Sequence, residues 1–174
     1  MADGLKRERL ERFPEDFQKG VVLHRAIDTF TDQHPLYKKS CKRIFKTHGH
    51  YSRVIIDIFY DHFLAAQWSD YHHRPLETFA NDFYSLLYKH FEQLPAKTKH
   101  LYPYLKAQNW LVTYASIEGI DQILKGMHRR TSFKSKMDTA SSDLSLHYNE
   151  LKTDFDAFFK ELIIFSKEKL KEIT

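Results

Sequence analysis

The chain has 174 residues and a formal net charge of +4, from 27 Lys+Arg against 23 Asp+Glu, with 11 His uncounted. Gly and Pro number only 5 each while aromatics reach 15%. That balance excludes a turn-rich β sandwich or a collagen-like chain and leaves enough apolar surface to fold one all-α domain over residues 1–174 without a staple. The single Cys41 excludes an intramolecular disulfide and fits a reducing compartment.

Met1-Ala2-Asp3-Gly4-Leu5-Lys6-Arg7 has no apolar signal core, and no apolar run is long enough to span a bilayer, so a cytoplasmic protein is expected. The mild basic balance favours an acidic or phosphate-bearing partner and is too weak to indicate nucleic acid.

In chain order, Phe13-Pro14-Glu15-Asp16 reads as a helix entry, with a helix to about Asp32 that Gln33-His34-Pro35 ends. A short helix follows through Cys41 and Phe45, and His48-Gly49-His50 is a break with solvated histidines. A second long helix covers about Ser52 to Trp68. Pro75 and Glu77 open another through Phe79, Phe83, Leu86 and Leu87. Leu94-Pro95 separates it from a segment containing Leu101 to Leu111. Ser116 caps a helix to about His128, with Gly119 an unexpected residue inside it. Asp138 to Lys171 is amphipathic and reads as one or two C-terminal helices. No stretch alternates with a two-residue period, so no sheet is expected.

Chemistry-bearing residues stand at helical spacing. His24/Asp28, Asp28/Asp32 and Asp57/Asp61 are each four apart, which puts both members on one helix face. A carboxylate pair set among apolar residues needs a proton, a cation or a basic partner. His24 and Asp28 could both face a cation, or form a His–Asp pair that is purely structural. Asp57 and Asp61 share a face with Val54, Leu64 and Trp68, and could hold a metal or meet Arg25, Arg129 or Arg130. His62 projects away from Asp61, as a supporting group or an acid/base. Asp32 fits a role at the helix end, and Asp3 fits a solvated acid.

Lys125, Arg129 and Arg130 form a basic cluster, suited either to phosphate or to a solvated face. Gln108-Asn109-Trp110-Leu111 could line a pocket or place a core Trp beneath exposed amides. No Gly-rich phosphate loop, Cys-X-X-Cys site or defensible Ser-His-Asp order is present.

Several strings together resemble the acyl carrier protein phosphodiesterase family. They are Gly20 through Asp32, Asp57-Ile58-Phe59-Tyr60-Asp61-His62-Phe63-Leu64, Asn109-Trp110-Leu111, Ile117-Glu118-Gly119-Ile120, Gly126-Met127 and Arg129-Arg130, in order across nearly the whole chain. The resemblance implies an all-helical relative of the HD-type metal phosphohydrolases. It implies hydrolysis of the phosphodiester joining 4′-phosphopantetheine to a serine of holo-acyl carrier protein, with a divalent cation, typically manganese.

The positions matching the family's metal and catalytic residues are Asp3, His24, Asp28, Asp61 and His62, with Asp57 a further candidate. Arg25, Lys125, Arg129 and Arg130 would bind substrate. Family members usually carry a preceding N-terminal segment with another site histidine. The expectation is therefore that Met1 lies inside a longer protein or that the first helix has been lost, and that an apolar groove is left open to self-association. Two other readings compete: a helical binding module with a degenerate site, and a phosphohydrolase acting on a nucleotide.

Overall fold

The computed structural model describes residue 11 and residues 13–131 and 135–174, so Asp3 lies outside the described residues. Those residues form helices and no strand, as the absence of two-residue alternation predicts. The helices are α1 (Glu15–Gln33), α2 (Pro35–His48), α3 (Ser52–Ala66), α4 (Trp68–Tyr71), α5 (Leu76–Lys89), α6 (Ala96–Ala107), α7 (Trp110–Thr113), α8 (Ile117–Arg130), α9 (Ala140–Leu146) and α10 (Tyr148–Ile173). None is long and apolar enough to cross a membrane. Pro14, Pro75 and Pro95 each stand immediately before a helix, with the extended ψ that proline permits. His34 is likewise extended ahead of Pro35, which separates α1 from α2.

The chain divides into two compact units, one of residues up to Lys42 with Asn149–Thr174, the other Arg43–Tyr148. In the first unit Phe30 stacks on Phe165 at 4.5 Å, and Phe158 lies 6.3 Å away. Asp154 is only 3% exposed there. Lys39 Nζ donates to one of its oxygens at 2.7 Å and Ser40 Oγ to the other at 3.4 Å. A buried carboxylate so held is neutralised in place.

In the second unit the core centres on α3. Ile55, Ile56, Phe59 and Phe63 are fully buried, together with Ile120 and Leu124 of α8 and Leu144 of α9. Helix α3 packs against α8, and α5 against α7.

Of three local expectations the structure overturns one, the solvated His48, and makes the other two more definite. The segment from Leu101 to Leu111 is not continuous: α6 ends at Ala107, and Asn109 takes a left-handed φ of 43° before α7 begins. His48 is not solvated. Helix α2 runs far enough to bury it, and its Nε2 donates to Asp143 Oδ2 at 2.7 Å. Residues after Asp138 break at His147 into α9 and α10.

Gly119, unexpected inside a helix, has a packing reason. A Cβ there would sit 2.0 Å from the Thr113 carbonyl oxygen, so the end of α7 rests directly on the first turn of α8. Ser116 Oγ accepts the Gly119 N–H at 3.1 Å and caps that turn. The atom in the way is backbone and cannot rotate aside. Gly119→Ala is therefore expected to destabilise the protein by about 2 kcal/mol or more, the cost of overpacking a close contact. Thermal denaturation checks this; an unchanged midpoint would show that the contact is slack.

Candidate active site

Helix α3 buries Ile55, Ile56, Ile58, Phe59, Tyr60, His62 and Phe63. What remains on its open side is a stripe through Arg53, Val54, Asp57 and Asp61. The carboxylates therefore do not sit on the buried face. They stand one turn apart on the side the core leaves free, as their spacing requires.

Asp61 is exposed to solvent on its outer side, while the protein around the rest of the carboxyl desolvates it. That partial desolvation, with the Asp57 charge adding to it, pushes its carboxyl up to about 7. Tyr114 is pushed up in the same way, first by burial and then by the charges of Asp61, Tyr84 and Asp57. Its phenol therefore stays protonated beside the acid pair. Tyr84 is also raised by burial, while its hydroxyl accepts the Leu111 N–H at 3.1 Å.

Neither tyrosine was singled out by the sequence. Tyr84 falls within an ordinary apolar helix pattern, and Tyr114 follows a helix of only four residues. No periodic signal marks either one.

His62 points into the protein and is 2% exposed. Its Nδ1 donates to the Tyr114 carbonyl at 2.9 Å, and Tyr148 Oη stands 3.2 Å from Nε2. Burial lowers its pKa, against the pull of the Tyr114 carbonyl. The ring is thus held neutral, with Tyr148 donating to Nε2. In this arrangement His62 fixes Tyr114 and presents no free nitrogen to solvent.

In the first unit His24 Nδ1 and Asp28 Oδ2 pair with each other at 2.8 Å, both side chains close to half exposed. Arg25 and Asp32 lie on the same helix, Asp32 exposed near its C-terminal end.

The basic cluster is divided. Lys125 Nζ pairs with Asp121 Oδ2 at 2.6 Å, four residues back on α8. Arg129 and Arg130 instead line a cavity of about 170 Å³ with Gln108, Trp110, Gln122 and Gly126. The Arg130 guanidinium lies over the Trp110 ring at 5.6 Å. Trp110 Nε1 donates to Gln108 Oε1 at 2.8 Å, which fixes the ring.

Asp138, His128 and Ser135 do form a line, at 3.4 Å and 3.1 Å. Ser135 is 1% exposed and its Oγ also accepts the Met137 N–H, so the line secures a turn and offers no nucleophile. Among the described residues no three or more His, Cys, Asp or Glu side chains gather closely enough to enclose a metal ion. Asp57 and Asp61 supply two hard oxygen donors whose mutual repulsion a cation would relieve, which fits a cation completed by water and substrate oxygens.

Fold and site together define an all-helical protein with an acidic pair and an arginine-lined pocket in one unit. The family model described as acyl carrier protein phosphodiesterase matches residues 1–162, and the chain belongs to that family. An acyl carrier protein phosphodiesterase of Photorhabdus laumondii subsp. laumondii is 31% identical over 170 residues, covering 97% of this chain and 84% of the relative. Those of Enterobacter sp. (strain 638) and Yersinia pestis are each 26% identical, over 97% of this chain and 88% of the relative. No solved structure matches.

The raised Asp61 pKa has a consequence for stability. The folded protein holds this proton more tightly than the unfolded chain, whose carboxyl has the ordinary value of 3.8. Stability contributed by the neutral form is complete in acid and is lost as pH climbs toward and through about 7. Asp61→Asn is expected to raise the melting temperature at pH 8 and to change it little at pH 4. Equal effects at both pH values would show that Asp61 ionises freely in the fold.

Proposed function

We propose that this chain hydrolyses the phosphodiester between 4′-phosphopantetheine and a serine of holo-acyl carrier protein, giving apo-acyl carrier protein. The observation that carries the reading is the Asp57/Asp61 pair on the open stripe of α3, with a protonated Tyr114 beside it, in a chain of this family. The alternatives, a binding module or a nucleotide phosphohydrolase, have no observation in their favour.

In the reaction water attacks phosphorus, the bond from phosphorus to the serine oxygen breaks, and that oxygen takes a proton. Asp57 and Asp61 would hold a divalent cation, with manganese the expected ion. When bound, it supplies charge neutralisation at the phosphodiester and a water of lowered pKa. The Tyr114 phenol keeps its proton and donates a hydrogen bond to a phosphoryl oxygen, where charge develops. His62 holds the Tyr114 backbone in place through its Nδ1 proton. Acyl carrier protein is expected to be acidic, so the positive net charge of the chain favours its approach.

The test is incubation with holo-acyl carrier protein and manganese, followed by mass spectrometry of the carrier. Loss of the phosphopantetheine arm is expected, and Asp61→Ala should lower kcat by at least about 100-fold, in the range that acid–base and electrostatic groups contribute. No loss of the arm overturns the proposal, and full activity of the variant overturns the site assignment. A second measurement is manganese affinity by calorimetry. Because Asp61 must give up its proton to bind, affinity should rise as pH passes through about 7. A pH-independent affinity would place the cation elsewhere.

A further inference from the structure

The arginine-lined pocket has features that a solvated charge run does not explain. Basic residues in the last turn of a helix commonly complement the helix dipole, and His128, Arg129 and Arg130 occupy that turn of α8. Lys125 behaves as an ordinary surface cation, paired along its own helix with Asp121. Among the described residues no carboxylate pairs with Arg129 or Arg130. The Arg130 guanidinium is instead laid on the Trp110 ring, whose own N–H is tied to Gln108. Arg129 folds back over Gly126: a Cβ built there would lie 3.9 Å from its Nη2. Two guanidinium groups are thereby held at one cavity with the amides of Gln108 and Gln122.

We infer that this pocket binds a phosphate monoester dianion, and that within the reaction proposed above it takes the phosphate end of released 4′-phosphopantetheine. Hydrolysis converts a diester with one negative charge into a monoester approaching two. Two forked donors match that increase better than they match the substrate. A cavity of about 170 Å³ has room for on the order of six waters, enough for a phosphate and a few further atoms. The rest of the arm lies outside, and the amides are placed to meet its first polar groups. The inference rests on the proposed reaction for the identity of the monoester and on the pocket alone for its chemistry.

The experiment is calorimetric titration of the full chain, at constant ionic strength, with 4′-phosphopantetheine, inorganic phosphate and pantetheine, alongside steady-state product inhibition. Both phosphate-bearing probes should bind and pantetheine should not. Arg129→Gln and Arg130→Gln should each weaken binding roughly tenfold, the loss of one charge-assisted contact. Both side chains are exposed, so these variants should keep the wild-type melting temperature. Arg130→Lys, which keeps charge without the fork, should recover only part of the affinity. The same variants should raise the product inhibition constant by a similar factor.

Equal binding of pantetheine and its phosphate ester overturns the inference, as does unchanged affinity in both Gln variants. If the wild-type chain binds 4′-phosphopantetheine through these arginines but never removes the arm from holo-acyl carrier protein, the proposed function fails and the pocket stands. If it removes the arm while the variants show unaltered product inhibition, the pocket fails and the function stands.

Discussion

Helix α3 sets the arrangement of the second unit, because most of its surface is taken by the core. Ile55, Ile56, Phe59 and Phe63 have no exposure, and Ile58, Tyr60 and His62 are also buried. A helix with so wide an apolar arc has one narrow direction left for charge. The spacing of Asp57 and Asp61 matches that direction. Had the pair been shifted by one position, either the acids would be buried without partners or Ile56 and Tyr60 would face water. The acid pair is thus held at a fixed place by packing that has nothing to do with its chemistry.

The short stretch from Gln108 to Tyr114 connects this acid pair to the arginines of α8. Gln108 and Trp110 form the wall on which Arg130 rests. The Thr113 carbonyl occupies the space over Gly119. The Tyr114 carbonyl accepts a hydrogen bond from His62 Nδ1, and the Tyr114 phenol feels the charges of Asp61 and Asp57. A segment of seven residues with a single four-residue helix has little stability of its own. It is positioned by neighbours on α3, α5 and α8. His62 contributes through one of those ties, which explains a histidine beside a carboxylate pair whose nitrogens both face inward.

Much of the fold was legible in the sequence because the helices are strongly amphipathic and punctuated by proline. The breaks before Pro35 and around Pro75 and Pro95, and the Ser116 cap, follow from local chemistry alone. The left-handed Asn109 and the burial of His48 did not, since each is decided by a distant partner or by the need to turn one helix onto the next.

At the site, spacing correctly put Asp57 with Asp61 and His24 with Asp28. It could not say that His24 and Asp28 would satisfy each other at the surface. Nor could it reveal Tyr114, whose importance depends on where its ring goes. Gly119 shows the same limit: propensity marks it as a weak helix residue, while its reason for being there is a carbonyl from another helix.

The charge on α8 shows why counting basic residues misleads. Lys125, Arg129 and Arg130 contribute equally to the net charge, but they differ in what holds them. Lys125 shares its charge with Asp121, which also accepts from Ser141 Oγ at 2.8 Å, so its field is largely spent within the protein. Arg130 is supported by an aromatic face, which attracts a cation while leaving its N–H edge free to donate. A guanidinium on a ring keeps most of its hydrogen-bonding capacity, whereas an ammonium in an ion pair does not. Trp110 therefore does more than fill space: it immobilises a charge without neutralising it. Meanwhile Asp57 and Asp61 keep like charge close together on α3. One unit thus carries two like-charged acids one turn apart on α3 and two guanidinium groups at one cavity. Under the proposed reaction both are met by one kind of ligand, a phosphate ester that brings its own anionic oxygens and a cation.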